Sequence, residues 1–318
     1  MEPLKSCTGG SAEGKNRFFK RPKIIQKIRR KLANGEHLLI SAPRRIGKTS
    51  ILKYIRDTPE QNQIIKYLIV QSVGSIDEFN KRLFDELIND HQIYSTIERL
   101  THRAGATVKS QASRVKTISP KLIELNKDVT IDYYAELNEL FDELKDHDKQ
   151  IIIFIDEFPD TIININKTNP YNASRLLQQQ REIREKYKNS QIQFVYTGST
   201  GLKNVVKKLG DIHLVNNLVE IKVPPLRPPE ALELMQRLIL GKQQALYTFD
   251  VSDEVIAYTL ETIQWLLPYY IQIIVEGLFD QHEEDDSDPP PPITTKTIDA
   301  LLKALVKSNS TCADYFDH

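Results

Sequence analysis

Short apolar runs recur along the chain at wide intervals: Leu38 to Ile40, Ile64 to Val70, Ile151 to Ile155, Ile192 to Tyr196, and Val219 to Val223. Runs of this length, rich in Ile and Val, read as strands buried on both faces. Between them apolar side chains return every three or four residues, as in Phe79, Leu83, Leu87, Ile88 and again in Leu137, Leu140, Phe141, Leu144. That spacing puts them on one helical face. Strands alternating with helices predict an α/β fold with a mainly parallel sheet covered on both sides.

The pattern changes after Val223, where Pro224, Pro225, Pro228 and Pro229 punctuate the chain. A helix is predicted from about Pro229, with Leu232, Leu234, Met235, Leu238 and Ile239 as its apolar positions, and further helices over 252–262 and 271–279. The expected organisation is therefore an α/β domain over 1–223 and a smaller all-helical domain over 224–318. Residues 283–292, an acidic run followed by four prolines, cannot continue a helix and read as an exposed loop. Residues 101–121 carry Arg103, Lys109, Arg114, Lys116 and Lys121 without an acidic residue or clear periodicity, and are expected to form a basic mobile loop.

The segment from His37 to Leu52 carries the clearest chemistry. A short apolar strand leads into Ala42-Pro43-Arg44-Arg45-Ile46-Gly47-Lys48-Thr49-Ser50, and an amphipathic helix follows. The spacing from Ala42 matches GxxxxGK[ST], the P-loop pattern, with alanine in place of its first glycine. Backbone N–H groups of such a loop and of the helix start cradle a polyphosphate, while Gly47 lets the chain approach without a Cβ. Lys48 would reach the β and γ phosphates, and the Thr49 hydroxyl would bind Mg²⁺.

A second segment supplies context. Ile151 to Ile155 run into Asp156, Glu157, Phe158 and Pro159, a strand ending in adjacent carboxylates, which is the Walker B arrangement. Asp156 would hold Mg²⁺, directly or through water, and Glu157 would polarise the attacking water. An Asp-Glu pair after a strand is by itself an ordinary solvated turn. Together with a P-loop upstream it reads as a site of nucleotide hydrolysis.

With these motifs the chain resembles P-loop ATPases of the AAA+ and STAND grouping, and most closely the prokaryotic archaeal-ATPase-like family of ATP-binding proteins. The similarity runs through nearly the whole chain. It rests on Thr8-Gly-Gly, Phe18-Phe-Lys-Arg-Pro22, Ala42 to Thr49, Ile155 to Pro159, Thr197-Gly-Ser-Thr-Gly-Leu202, Val223 to Leu226 and Leu267 to Gln272. The resemblance implies a P-loop NTPase sheet ordered 5-1-4-3-2, a C-terminal helical lid, and ATP with Mg²⁺ as ligands; the P-loop alone does not separate ATP from GTP. It also implies that Thr197 and Ser199 belong to a polar sensor of the γ phosphate. Arg21 matches an arginine beside the nucleotide, with Lys20 where a glycine is expected, and Pro268 matches a lid proline near the adenine. No residue stands out as an arginine finger or lid arginine; Arg175, Arg181 and Arg184 read either as one acting across a subunit interface or as a solvated helix face. The end at Tyr315 to His318 resembles the point where relatives continue into a winged-helix domain, which this chain is expected to lack.

Composition narrows the partners. Across 318 residues, 43 Lys and Arg balance 43 Asp and Glu, so blanket binding to polyanions is not expected. The balance is uneven: residues 1–31 hold ten basic residues against Glu2 and Glu13, while 280–288 hold six acidic residues and no basic one. Two cysteines, Cys7 and Cys312, build neither a disulfide framework nor a four-Cys zinc site, and the reducing cytoplasm fits them best. No apolar stretch approaches the roughly 20 residues that span a bilayer, so no membrane association is expected. The seven histidines have no metal-ligand spacing, and no nucleophile elbow is present. Three functions remain: an Mg²⁺-dependent ATPase acting as a conformational switch in which ATP clamps the lid, a nucleic-acid-binding module regulated by ATP, and a nucleotide-binding signalling scaffold with negligible turnover. The partner stays open among a second copy in a homo-oligomer, another protein and nucleic acid.

Overall fold

One internal strand of the sheet, Gln150–Asp156, is almost pure Ile and Phe, and its residues from Ile151 onward are buried. Side chains on both faces need cover, which a parallel sheet with crossover helices provides. In the computed structural model, five parallel strands are ordered β2-β3-β4-β1-β5, where β1 is Leu38–Ser41, β2 Gln63–Ile69, β3 Gln150–Asp156, β4 Ile192–Gly198 and β5 Val219–Lys222. This is the order expected for a P-loop NTPase, with one strand between the P-loop strand and β3. The structure describes residues 1–94, 131–199, 201–285, 287 and 290–308. The basic segment 101–121 lies outside the described residues.

Eleven helices are described: α1 Pro22–Ala33, α2 Lys48–Asp57, α3 Ile76–Ile88, α4 Tyr133–Leu144, α5 Phe158–Thr168, α6 Pro170–Lys186, α7 Leu202–Lys208, α8 Pro228–Gln243, α9 Asp253–Ile263, α10 Pro268–Glu283 and α11 Thr295–Ser308. Local chemistry sets their starts. Ser75 caps α3 by accepting from Glu78 N at 3.2 Å, and Asn169 caps α6 just before Pro170 by accepting from Tyr171 N at 3.0 Å. At α8, Pro228 and Pro229 occupy the first turn, and the Glu230 carboxylate reaches back to Arg227 N at 2.9 Å. Among the described residues no helix is long and apolar enough to cross a membrane.

The chain divides into two units. One comprises Pro22–Pro43 and Ile55–Val223 and contains the sheet. Its core packs Ile153, Ile155, Phe194 and Tyr196 against Phe79, Leu83, Phe141 and Phe158 from the helices. Register aligns the strand ends: Ser41 pairs with Gly198 across β1 and β4, and Ile155 pairs with Tyr196 across β3 and β4. The carboxyl ends of β1, β3 and β4 thus share one edge, where open α/β sheets bind ligands.

The other unit comprises Met1–Arg21, Arg44–Tyr54 and Pro224–His318. Its core joins Leu234, Met235 and Leu238 of α8 to Ile271, Val275 and Leu278 of α10 and Ile298 of α11. Leu4, an isolated apolar residue near the N-terminus, is part of this core and 1% exposed. Leu4 N donates to Arg237 O at 2.8 Å. Gly241 makes room for this segment, since a Cβ there would sit 2.0 Å from Leu4 O.

His37, just before β1, sets up a pH dependence in the sheet-bearing unit. Its Nε2 lies 3.2 Å from Arg184 O, an acceptor, and its Nδ1 accepts from Phe194 N at 3.1 Å. The proton therefore sits on Nε2 of a neutral ring. Burial, reinforced by the Arg184 charge, pushes the imidazole down from 6.5 to about 4. Between those values the unfolded chain takes up a proton that the folded chain refuses, so stability falls as pH drops through this window. By pH 5 the loss should reach about 2 kcal/mol. Urea unfolding of wild type and His37→Gln at pH 7.5 and 5 should show a smaller acid-induced drop in the variant; equal drops would remove His37 as its source.

Candidate functional site

Leaving β1 at Ser41, the chain passes through Ala42, Pro43, Arg44, Arg45, Ile46 and Gly47 into α2, which begins at Lys48. Gly47 has φ 91°, a left-handed conformation that favours glycine. Ala42 has no positive φ, so its methyl is compatible with the backbone there. Ile46 is fully buried and anchors the loop, Lys48 is 7% exposed, and Thr49 follows in the first helical turn. Ser50, next along, accepts from Ala12 N through its hydroxyl at 2.9 Å. Lys53 binds the same N-terminal segment, donating to Ser11 Oγ at 2.9 Å and Glu13 Oε1 at 2.7 Å.

Arg45 is one of three non-glycine residues with positive φ among those described, at 65°. Its guanidinium lies 4.3 Å from the centroid of the Tyr269 ring, a cation–π contact. Tyr269 follows Pro268, the first residue of α10. Pro268 O accepts from Gln272 Nε2 at 3.2 Å, and Gln272 Oε1 accepts from Cys7 N at 2.8 Å. Lys20, where a glycine is expected, has no positive φ and holds its ammonium 5.3 Å from the Tyr54 centroid. Phe18 stacks on the same ring at 4.9 Å.

Arg21 is 5% exposed and donates through Nη2 to Pro225 O at 3.2 Å. Its Nε and Nη1 are buried without an acceptor among the described residues. Burial lowers the guanidinium pKa, opposed by the Glu230 charge and aided by Arg227. Buried donors left unpaired are costly, so an acceptor supplied from outside the chain would be favoured here.

The other motif lies at the end of β3. Asp156 is 2% exposed; its Oδ2 accepts from Tyr67 OH at 2.6 Å and its Oδ1 from Glu157 N at 3.0 Å. Glu157 adopts φ 59° and ψ 34°, the left-handed region, immediately before α5. Its Oε2 accepts from Ser199 N at 2.9 Å and from Ser199 Oγ at 3.1 Å. The residue expected to sense phosphate thus grips the second carboxylate of the pair. Thr197, two residues earlier on β4, is fully buried, and its hydroxyl has no partner among the described residues.

Sequence reasoning missed Tyr67 and Gly198. Tyr67 lies on β2, 89 residues from Asp156, and no local motif marks it. Gly198 has a clear steric role: an added Cβ would lie 2.4 Å from Pro159 Cδ and 3.4 Å from Glu157 Oε2. Only a glycine lets β4 pass this close to the start of α5.

Of the three arginines of α6, Arg184 is not on a solvated face. It is 2% exposed and donates to Asn217 Oδ1 at 2.9 and 3.1 Å, Leu214 O at 2.8 Å and Tyr196 OH at 3.1 Å. A guanidinium satisfied inside the core is unavailable to another subunit. Arg181 donates to His213 O at 2.6 Å, and Arg175 is exposed.

The chain is similar in structure to a Walker-type ATPase of Pyrococcus abyssi, with TM-score 0.56 and 16% identity, covering 94% of this chain and 76% of that one. It is also similar to the Aeropyrum pernix ORC2 protein in ADPNP-ADP complexes, with TM-score 0.51 and 10% identity over 89% of this chain and 66% of that one. The ADP form of the same protein gives TM-score 0.50 and 11% identity, with 90% and 68% covered. The shared feature is the fold, the five-stranded parallel P-loop NTPase sheet flanked by helices. No protein-family model matches the sequence, and no curated protein matches it.

Gly198→Ala should push Pro159 and the start of α5 away from β4 and cost roughly 1–3 kcal/mol, the usual penalty of overpacking. Urea unfolding should show the midpoint fall; an unchanged midpoint would mean the two segments separate freely.

Proposed function

We propose that the protein binds ATP with Mg²⁺ and hydrolyses it to ADP and phosphate, acting as a conformational switch of the AAA+/STAND kind. The observation that carries this reading is the arrangement at the end of β3. Of two adjacent carboxylates, one is held by a donor on β2 and the other by Ser199 immediately after β4, on the sheet order in which a P-loop follows β1.

In this reading Ala42 to Ser50 cradle the phosphates, with Lys48 as the cation for their outer oxygens. Arg21 offers its two unpaired donors to the nucleotide, and Pro268 packs against the base. Thr49 and Asp156 would hold Mg²⁺, which when bound neutralises phosphate charge. The residues fit that ion. Their donors are hard oxygens, a hydroxyl and a carboxylate. Mg²⁺ is commonly held this way, by one or two protein oxygens together with phosphates and water.

Glu157 is the base. Its Oε2 is taken by Ser199, and among the described residues nothing donates to Oε1, which leaves that oxygen to orient a water and accept its proton. Ser199 acts here by fixing the carboxylate, while the buried Thr197 hydroxyl is the nearer match to a sensor awaiting a partner. Lys48→Ala should abolish binding of a fluorescent ATP analogue. Glu157→Gln should retain binding and lower turnover by about 10²–10⁴-fold, the usual contribution of a general base. Undiminished phosphate release in both variants would sink the reading.

A second reading draws on α1, where Lys23, Lys27 and Arg30 are exposed along one side. Such a stripe suits the phosphates of a nucleic acid. Filter binding of duplex DNA should then weaken steeply with salt, and Lys27→Glu should flatten the slope; salt-independent retention would exclude it.

A further inference from the structure

Arg45 occupies a backbone position that suits glycine. It has φ 65° and Gly47 has φ 91°, with Ile46 between them outside the positive-φ region. Alternation of this kind turns successive backbone N–H groups toward a common centre, a concavity that takes up an anion. Glycine would hold the left-handed conformation at position 45 without strain, yet the chain places an arginine there. Arg45 is exposed, and no carboxylate or carbonyl among the described residues holds its guanidinium. Its contact is the face of the Tyr269 ring, 4.3 Å away at the centroid.

Tyr269 is itself fixed. It is the second residue of α10, after Pro268 and the fully buried Leu267. Gln272, one turn on, donates to Pro268 O at 3.2 Å and accepts from Cys7 N at 2.8 Å. The neighbouring Tyr270 ring meets that of Tyr269 at 5.9 Å and 61°. The helix from Pro268 to Glu283 contains neither lysine nor arginine, so the cation at its start comes from the loop. A guanidinium laid on an aromatic face keeps its in-plane edge, with a fork of N–H donors, for an oxyanion. Loop and ring both lie in the unit that comprises Arg44–Tyr54 and Pro224–His318.

We propose that Arg45 is a specificity-determining residue for the terminal phosphate of a nucleoside triphosphate. Its guanidinium, oriented by the Tyr269 ring, donates charge-assisted hydrogen bonds to that group, so the site holds a triphosphate more tightly than a diphosphate. This rests on the reading of the loop as a phosphate cradle and assigns to one side chain the distinction between nucleotide states. Tyr269 is a positioning residue. A lysine at position 45 would keep the charge as a point on a flexible stem and lose the rigid fork and its stacking.

The experiment measures dissociation constants for a fluorescent non-hydrolysable ATP analogue and for fluorescent ADP, both with Mg²⁺. The proteins are wild type, Arg45→Gly, Arg45→Lys, Tyr269→Phe, Tyr269→Leu and Lys48→Ala. Arg45→Gly suits the backbone at φ 65°, so its thermal midpoint should stay near wild type. It should weaken the triphosphate by about 10–100-fold, the range for a hydrogen bond to a charged group, and leave ADP near wild type. Arg45→Lys should recover part of the loss. Tyr269→Phe, which keeps the ring, should match wild type, whereas Tyr269→Leu should lose affinity for the triphosphate alone. If wild type binds both nucleotides and Lys48→Ala neither, while Arg45→Gly weakens both equally or not at all, the role of Arg45 is overturned and the cradle reading stands. If Tyr269→Leu keeps the wild-type preference, the ring's part is overturned. If wild type binds neither nucleotide, the cradle reading falls and the proposal with it.

Discussion

Adjacent carboxylates repel, and the site depends on keeping Asp156 and Glu157 apart. Two unit charges at 4 Å cost about 4 kcal/mol at an effective dielectric near 20. Separation is achieved by a single left-handed residue: Glu157, at φ 59°, turns the chain so that its side chain meets β4 while that of Asp156 meets β2. Backbone strain of this kind costs roughly 1–3 kcal/mol. A hydrogen bond to a charged group contributes about 1.5–3 kcal/mol, and Glu157 accepts two from Ser199. The two donors of Ser199, just past the end of β4, offset the strain of the turn.

That requirement explains the position of the pair in the sheet. A strand flanked on both sides can receive donors from both neighbours, and β3 lies between β2 and β4. An edge strand would leave one carboxylate unsupported. The same constraint accounts for Gly198, because the Ser199 amide can approach Glu157 only where β4 carries no Cβ against Pro159. Packing, strain and hydrogen bonding thus converge on one oxygen, Glu157 Oε2.

The parts legible in the sequence are those written locally. Ile151 to Asp156 announced a buried strand because both of its faces are covered, and the predicted run Ile64–Val70 differs from the observed Gln63–Ile69 by one residue. The loop between β1 and α2 was readable because the eight-residue spacing from Ala42 to Thr49 encodes a strand, a turn and a helix start. What escaped depends on register between distant strands or on single residues in polar surroundings. Tyr67 meets Asp156 through the alignment of β2 with β3, which no spacing announces. Leu4 packs among α8 and α10 although nothing beside it in sequence is apolar enough to signal burial. Arg184 read as surface charge because charged runs on helices usually are; its carbonyl and hydroxyl partners lie beyond α6.

The glycine replacements sharpen the reading of the phosphate loop. Ala42 and Lys20 stand where glycines are expected, yet neither has positive φ, so neither residue forces the backbone. Arg45 is the opposite case: a long side chain at φ 65°, where glycine would be free of strain. A left-handed non-glycine residue costs roughly 1–2 kcal/mol. Its contact with Tyr269 returns a comparable amount, about 0.5–2 kcal/mol for a cation–π pair. Stability therefore gives little reason for arginine over glycine at this position. The arginine does place a permanent positive charge on the loop that reads as the phosphate cradle, two residues before Gly47, and attaches that charge to the aromatic residue following Pro268. In the ATPase reading, loop conformation and the start of α10 are coupled through this one side chain, both ends of the contact lying within the unit that comprises Arg44–Tyr54 and Pro224–His318.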